Sequence, residues 1–245
     1  MRRRDALVIG GAGFIALSIP QILRHRRQDM AFSDLTAIPG FRRLERGKIS
    51  AAPDLFTGLE TPEEAAATQR LPLNLCEAVF PQTPLPGRVP IAVFSDYYCP
   101  YCAILDKRLA DLQSSEMSID LSFHELPLLG ERSRWAASVA LAAANQADHT
   151  TIHLDMMQRV LRPGLPGVRS LAERHGLDAE KVMADAESEV MAERIEDALA
   201  LGRGLGIPGT PGLMIGRTLV VGALSEKDLE QLVAMEREDL ITECR

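Results

Sequence analysis

Phe94-Ser95-Asp96-Tyr97-Tyr98-Cys99-Pro100-Tyr101-Cys102 is the stretch on which the reading of this chain turns. The apolar run from Val89 to Phe94 leads into it and reads as a buried strand. Ala103, Ile104, Leu105, Leu109 and Leu112 lead out of it with the spacing of an amphipathic helix. Cys99 and Cys102 therefore fall where a strand hands over to a helix.

That position has chemical consequences. The first turn of a helix carries backbone N–H groups without intrahelical partners. Together with the helix dipole they favour an anion, so the Cys99 thiol is expected below its ordinary pKa. Pro100 suits the first helical position, because its φ is preset and its missing N–H is not needed there. Cys102, inside the first turn, is expected to be the more buried thiol. Such a pair closes and reopens a disulfide through a mixed-disulfide intermediate, with Cys99 as nucleophile and Cys102 resolving. A structural zinc site is the competing reading, but it commonly takes two such pairs. Here there is one pair, with Cys76 and Cys244 standing alone, so no metal is expected.

The chain has 245 residues, 46% of them hydrophobic, enough for one ordinary domain with extra segments. Its net charge is −7, and residues 1–27 hold six Arg and one Asp, so the remainder carries −12. An acidic body argues against nucleic acid as a partner. Aromatic residues make up only 4% of the chain, yet Phe94, Tyr97, Tyr98 and Tyr101 surround the cysteines.

The N-terminus reads as an export segment. Arg2-Arg3-Arg4 precedes 18 uncharged residues, Ala6 to Leu23, which Arg24 to Arg27 close. The length lies between a signal-peptide core and a spanning helix. Residues 1–27 are read as a signal or membrane anchor, an uncleaved anchor with Arg2–Arg4 in the cytoplasm being preferred. A weak twin-arginine pattern, Arg3-Arg4-Asp5-Ala6-Leu7, points the same way. The charged flanks argue against a buried core helix. An extracytoplasmic location, such as a bacterial periplasm, permits disulfide chemistry.

Residues 28–85 are poorly periodic and rich in proline towards their end, and read as an irregular arm or linker. The compact domain is placed at residues 86–245. After the first strand and helix, Ile119 to His124 alternates as a second strand, which gives a right-handed βαβ unit. Residues 130–205 read as helical throughout, ending in one long helix from Ala179 to Leu201. His149 and His153, four apart, read as solvated helix residues, and His124 is given no role. Leu213 to Gly222 reads as a hairpin turning at Gly216-Arg217, and Ser225-x-x-Asp228 opens a last helix.

Two motifs now stand in order: Cys99-Pro100-Tyr101-Cys102 at the strand-to-helix turn, and Gly209-Thr210-Pro211 before the hairpin. Together they resemble the thioredoxin fold. The 107 residues between Cys102 and Thr210 make room for a helical insertion, and with Asp197 to Pro211 they resemble the DsbA-like thiol–disulfide oxidoreductases. The resemblance covers about residues 88–237. It implies an α/β fold with a helical insertion between the βαβ half and the ββα half. It also implies a cis-proline at Pro211, with the backbone of Thr210 pairing with a bound substrate strand. The Pro100-Tyr101 dipeptide departs from DsbA towards glutaredoxins, and Val93 stands where DsbA has an acid. Asp96 is the nearby carboxylate, read as an exposed turn residue in preference to a proton acceptor for Cys102. A clip between Cys76 and Cys244 is a further expectation in an oxidising compartment.

The function expected is extracytoplasmic thiol–disulfide exchange with cysteine-containing protein substrates, without an organic cofactor. Electrons would pass to or from a membrane redox partner, either a quinone-linked oxidase or a thiol reductant, with oxidation the favoured direction. The alternatives are a thioredoxin-fold module that binds a metal or a partner, and a glutathione-using transferase or isomerase.

Overall fold

The computed structural model describes residues 30–45, 48–51, 61–82, 85–114 and 118–240. The predicted export segment, residues 1–27, lies outside them. No helix among the described residues is long and apolar enough to cross a membrane. The chain divides into Met1–Ala31 and Phe32–Arg245, and the fold is that of the second unit.

Its centre is a strand buried along its whole length, β3 (Val89–Ser95). It pairs in parallel with β4 (Ile119–Glu125) and antiparallel with β5 (Gly212–Ile215). A strand flanked on both sides and covered on both faces reads as an unbroken apolar run, as Val89 to Phe94 does. β5 continues into β6 (Thr218–Val221), with Ile215 opposite Thr218 across the expected Gly216-Arg217 turn. Gly216 has φ of +52°, which a two-residue hairpin turn demands.

The sheet extends beyond the expected domain boundary. β2 (Arg42–Glu45) pairs in parallel with β6, and β1 (Ser33–Asp34) pairs with β2, giving the order β1-β2-β6-β5-β3-β4. Leu35, Ile38, Phe41 and Leu44 are buried in the core. Two short helices, α1 (Pro62–Arg70) and α2 (Leu75–Val79), pack against the insertion. The described parts of 28–85 are thus integral to the unit, and an independent domain starting at residue 86 is not what is found. The reason is non-local. Arg42 Nε donates to Thr218 Oγ1 at 2.7 Å and its guanidinium meets buried Glu236 at 2.6 Å. Glu236 also accepts from the Thr218 hydroxyl at 2.6 Å and the Arg217 N–H at 2.8 Å.

β3 and β4 are bridged by α3 (Pro100–Ser114). Five helices then form the insertion: α4 (Glu131–Ala143), α5 (His149–Gln158), α6 (Leu165–His175), α7 (Ala179–Ala186) and α8 (Glu189–Gly204). The expected single helix from Ala179 is broken into α7 and α8. Ser188 breaks it, because its hydroxyl caps Met191 N–H and so starts a new helix. The last helix, α9 (Glu226–Arg237), opens on Ser225 as its sequence predicts.

Candidate active site

β3 ends at Ser95, and the chain turns through Asp96 to Cys99 before α3 begins. Asp96 makes that turn. Its carboxylate accepts from Tyr98 N–H at 2.8 Å, Leu129 N–H at 3.0 Å and the Ser133 hydroxyl at 2.8 Å. Its carbonyl accepts from Cys99 N–H at 3.0 Å. The expected exposed acid is therefore 1% exposed and fixes the loop to the start of α4. Burial raises its pKa, and the three donors hold the rise back.

Both cysteines are free thiols and buried. Cys102 N–H donates to Cys99 Sγ at 3.4 Å, the contact expected of a sulfur at a helix start. The Cys99 thiol donates to Thr210 O, also at 3.4 Å. Its pKa is lowered to about 5, first by the hydrogen bond from the Cys102 thiol, against the cost of burial, with help from Ser50, Thr210 and the Cys102 N–H. Cys102 moves the other way: burial, the bond to Cys99 and the charge of Asp106 all push its thiol far up. Asp106 lies one turn along α3, buried on the same face. One thiol is thus held as a thiolate and the other as a thiol.

The second motif meets the first. The Thr210–Pro211 peptide bond is cis, and Thr210 sits over Cys99. Thr210 is itself fully buried, and it helps to lower the pKa of the Cys99 thiol. Pro100 is exposed, while Tyr98 and Tyr101 are half-buried against the core. Phe94 and Tyr97 belong to the core itself.

Behind the pair lies a charged network that local sequence reading missed. His153 is fully buried, with Nε2 at 3.0 Å from Asp106 Oδ2 and Nδ1 at 3.0 Å from the Tyr97 hydroxyl. The Tyr97 hydroxyl donates to Glu125 Oε1 at 2.7 Å, and His149 Nε2 lies 2.9 Å from the same oxygen. Asp106 accepts in addition from the Ser95 hydroxyl at 2.9 Å. Burial works against a charged His153, but Asp106 and Glu125 outweigh it and lift its pKa to about 9. Burial likewise opposes the Glu125 carboxylate, and His149 and His153 hold it at about 2. So the two histidines are not both solvated: His153 is a buried link between two acids. Glu125, His149 and His153 bring ligand-type atoms within 4.8 Å of one another, a grouping a metal ion would fit. His124 also has a place, with a ring nitrogen 2.9 Å from Val79 O and its ring stacked on Phe94. The signal for these residues was present only as a four-residue histidine spacing. Their acids come from other elements.

Cys76 is buried and disulfide-bonded. Cys244, its expected partner, lies outside the described residues. A cavity of about 810 Å³, lined by residues that include His124, His149, Arg194 and Asp197, is separate from the pair, since neither Cys99 nor Cys102 lines it.

The model of the DSBA-like thioredoxin domain matches residues 90–234. A thioredoxin-like oxidoreductase from Silicibacter pomeroyi DSS-3 is 30% identical, with 66% of this chain and 97% of that one covered and a TM-score of 0.58. A periplasmic thioredoxin-like protein from Salmonella enterica serovar Typhimurium is 25% identical, with 67% and 97% covered and a TM-score of 0.57. A thiol–disulfide exchange protein from Wolbachia pipientis, 21% identical with 72% and 99% covered and a TM-score of 0.58, shares the fold. No curated protein sequence matches the chain.

Proposed function

The chain belongs to the family of the DSBA-like thioredoxin domain, whose members are thiol–disulfide oxidoreductases, and we propose that Cys99 and Cys102 are its redox pair. Cys99 is the nucleophile and Cys102 resolves. The observation that carries this reading is the opposed state of the two thiols: Cys99 lowered to about 5 at the start of α3, Cys102 buried and kept protonated. A thiolate at Cys99 both attacks and leaves well, whereas a protonated Cys102 waits until a mixed disulfide forms beside it.

In the oxidising direction a substrate thiolate attacks Cys99 Sγ of the protein disulfide. The bond to Cys102 breaks, and Cys102 leaves as a thiolate and takes up a proton. A second substrate thiolate then attacks the substrate sulfur of the mixed disulfide, and Cys99 leaves. Two electrons pass to the protein, two protons are released from the substrate, and the substrate gains a disulfide. Stabilising the Cys99 thiolate favours this direction, because it favours the reduced form of the pair. Pro100 and Tyr101 shape the turn between the cysteines, and the Thr210 backbone with cis-Pro211 receives the substrate strand.

The substrates are cysteine-containing proteins, and a membrane redox partner, quinone-linked or thiol-based, restores the pair. An extracytoplasmic site of action is supported by the arginine-flanked apolar segment from Ala6 to Leu23 and by the periplasmic relative. The deciding experiment is the redox equilibrium of the full chain against glutathione, read by thiol trapping. Cys102→Ser is expected to accumulate mixed disulfides on Cys99 and Cys99→Ser to accumulate none. Absence of any equilibrium between the pair and glutathione would dismiss the reading.

A further inference from the structure

The backbone of Thr210 is already in use. Ser50 N–H donates to Thr210 O at 2.8 Å, and Thr210 N–H donates to Ser50 O at 2.9 Å. These two bonds form an isolated antiparallel bridge. Lys48 O accepts from Ala223 N–H at 3.2 Å, just past β6, which gives the segment a second anchor. The fit is close. A Cβ built on Gly209 would stand 2.7 Å from Ser50 O and 3.1 Å from both Ala51 Cβ and Ile49 Cδ1. Glycine at 209 thus leaves room for a strand.

Ser50 lies beside the reactive sulfur: its N–H is bonded to Thr210 O, which is 3.4 Å from Cys99 Sγ, and Ser50 helps to lower the pKa of the Cys99 thiol. Cys99 itself is only 1% exposed. Serine differs from cysteine by oxygen in place of sulfur. A strand bridged to Thr210 with serine over Cys99 has the placement of a cysteine substrate about to react. The oxygen cannot form a disulfide, so the contact stays non-covalent and reversible.

We propose that Lys48-Ile49-Ser50-Ala51 is an internal pseudo-substrate that occupies the substrate site and must leave before exchange begins. The inference rests on the thiol–disulfide reading given above. It specifies the substrate as an extended chain that replaces the segment on Thr210, with its cysteine at the place of Ser50. An aliphatic residue precedes that cysteine, as Ile49 does against Gly209, and a small residue follows it, as Ala51 does. The hold is suited to displacement: Ile49 is 37% exposed, and Lys48 and Ala51 are exposed. Each net hydrogen bond is worth roughly a factor of five to ten in occupancy.

Two measurements on the full chain test it. The first combines Ser50→Cys with Cys102→Ser and uses oxidised glutathione as electron acceptor. A disulfide joining positions 50 and 99 is expected, found by peptide mass mapping, at a rate independent of protein concentration. Its two thiols lose two electrons and two protons to glutathione disulfide, which becomes two glutathione molecules. Persistence of the glutathione adduct on Cys99, with no link to position 50, overturns the proposal. The second uses Ser50→Pro, which removes the N–H that bonds Thr210 O. Exchange between the oxidised pair and an extended cysteine peptide, near neutral pH, is expected to be about fivefold faster than in the unaltered chain. Equal rates would overturn the pseudo-substrate while leaving the oxidoreductase reading intact. No exchange in either protein, together with a 50–99 link in the first test, would overturn the oxidoreductase reading and leave the placement of the segment supported.

Discussion

Cys99 carries the sharpest consequence of its surroundings. Its thiol ionises near pH 5, well below its ordinary value of about 9. Alkylation of the reduced protein by a small reagent should therefore follow a single titration centred near pH 5. A profile that rises only near pH 9 would contradict the geometry. The sign of the stability effect follows from the same shift. A depressed thiol pKa stabilises the folded, reduced protein fully above the unfolded value of about 9, and the gain disappears as pH falls through about 5. The disulfide form has no such proton. Melting curves of the reduced protein, measured against the oxidised protein, should rise between these limits. Thr210→Val keeps the shape and removes a side-chain hydroxyl that helps to hold the pKa of the Cys99 thiol low, so it should move the alkylation profile to higher pH.

At the scale of elements, two buried polar networks hold distant pieces together. Asp106, His153 and Glu125 tie α3 to α5 and β4. His153→Ala leaves two buried acids facing a void and should cost about 3–5 kcal/mol in denaturant unfolding. His149 is partly exposed but bonds buried Glu125, so His149→Ala should cost less than His153→Ala and should raise the Glu125 pKa. Glu236 ties β2 to the hairpin, and Glu236→Ala should cost about 3 kcal/mol for the same reason as His153. The contrast with what the sequence reveals is instructive. β3, α3, β4, the β5–β6 hairpin and the Cys99 and Pro211 motifs are legible because each is written in local periodicity or turn chemistry. β2 is not, since Arg42 and Arg43 look solvated until Thr218, Glu236 and the carbonyl of Gly206 are brought to them. Asp96 and His153 read as surface residues for a similar reason. Their partners, Leu129 and Ser133 for one and Asp106 and Glu125 for the other, lie on different elements. No spacing rule along one helix or turn contains them.

At the scale of the molecule, the family core and the folded unit differ in extent. The family model begins at residue 90, but the sheet and the core reach back to the thirties. Val79 and Phe80, like Leu35, Ile38 and Phe41, are buried against the same core as the cysteines. A chain that starts at residue 86 should therefore expose this apolar surface, melt well below the full chain and aggregate, as calorimetry and light scattering would show. Unchanged melting would mean that the first strands and helices are dispensable.

The shape of β1 has a consequence for traffic with unfolded chains. On its side the sheet ends in two exposed residues, Ser33 and Asp34, one of them acidic. Such a margin is too short and too charged to recruit another polypeptide by adding a rung to the sheet. The opposite margin is β4, a seven-residue strand paired among the described residues only with β3, whereas the bridge at Thr210 stands alone beside the sheet. In the proposed function, a client that replaces Ser50 on Thr210 gains one bridge and no ladder to unzip. Under the same reading, little main-chain contact would then delay its departure once the sulfur–sulfur bond breaks.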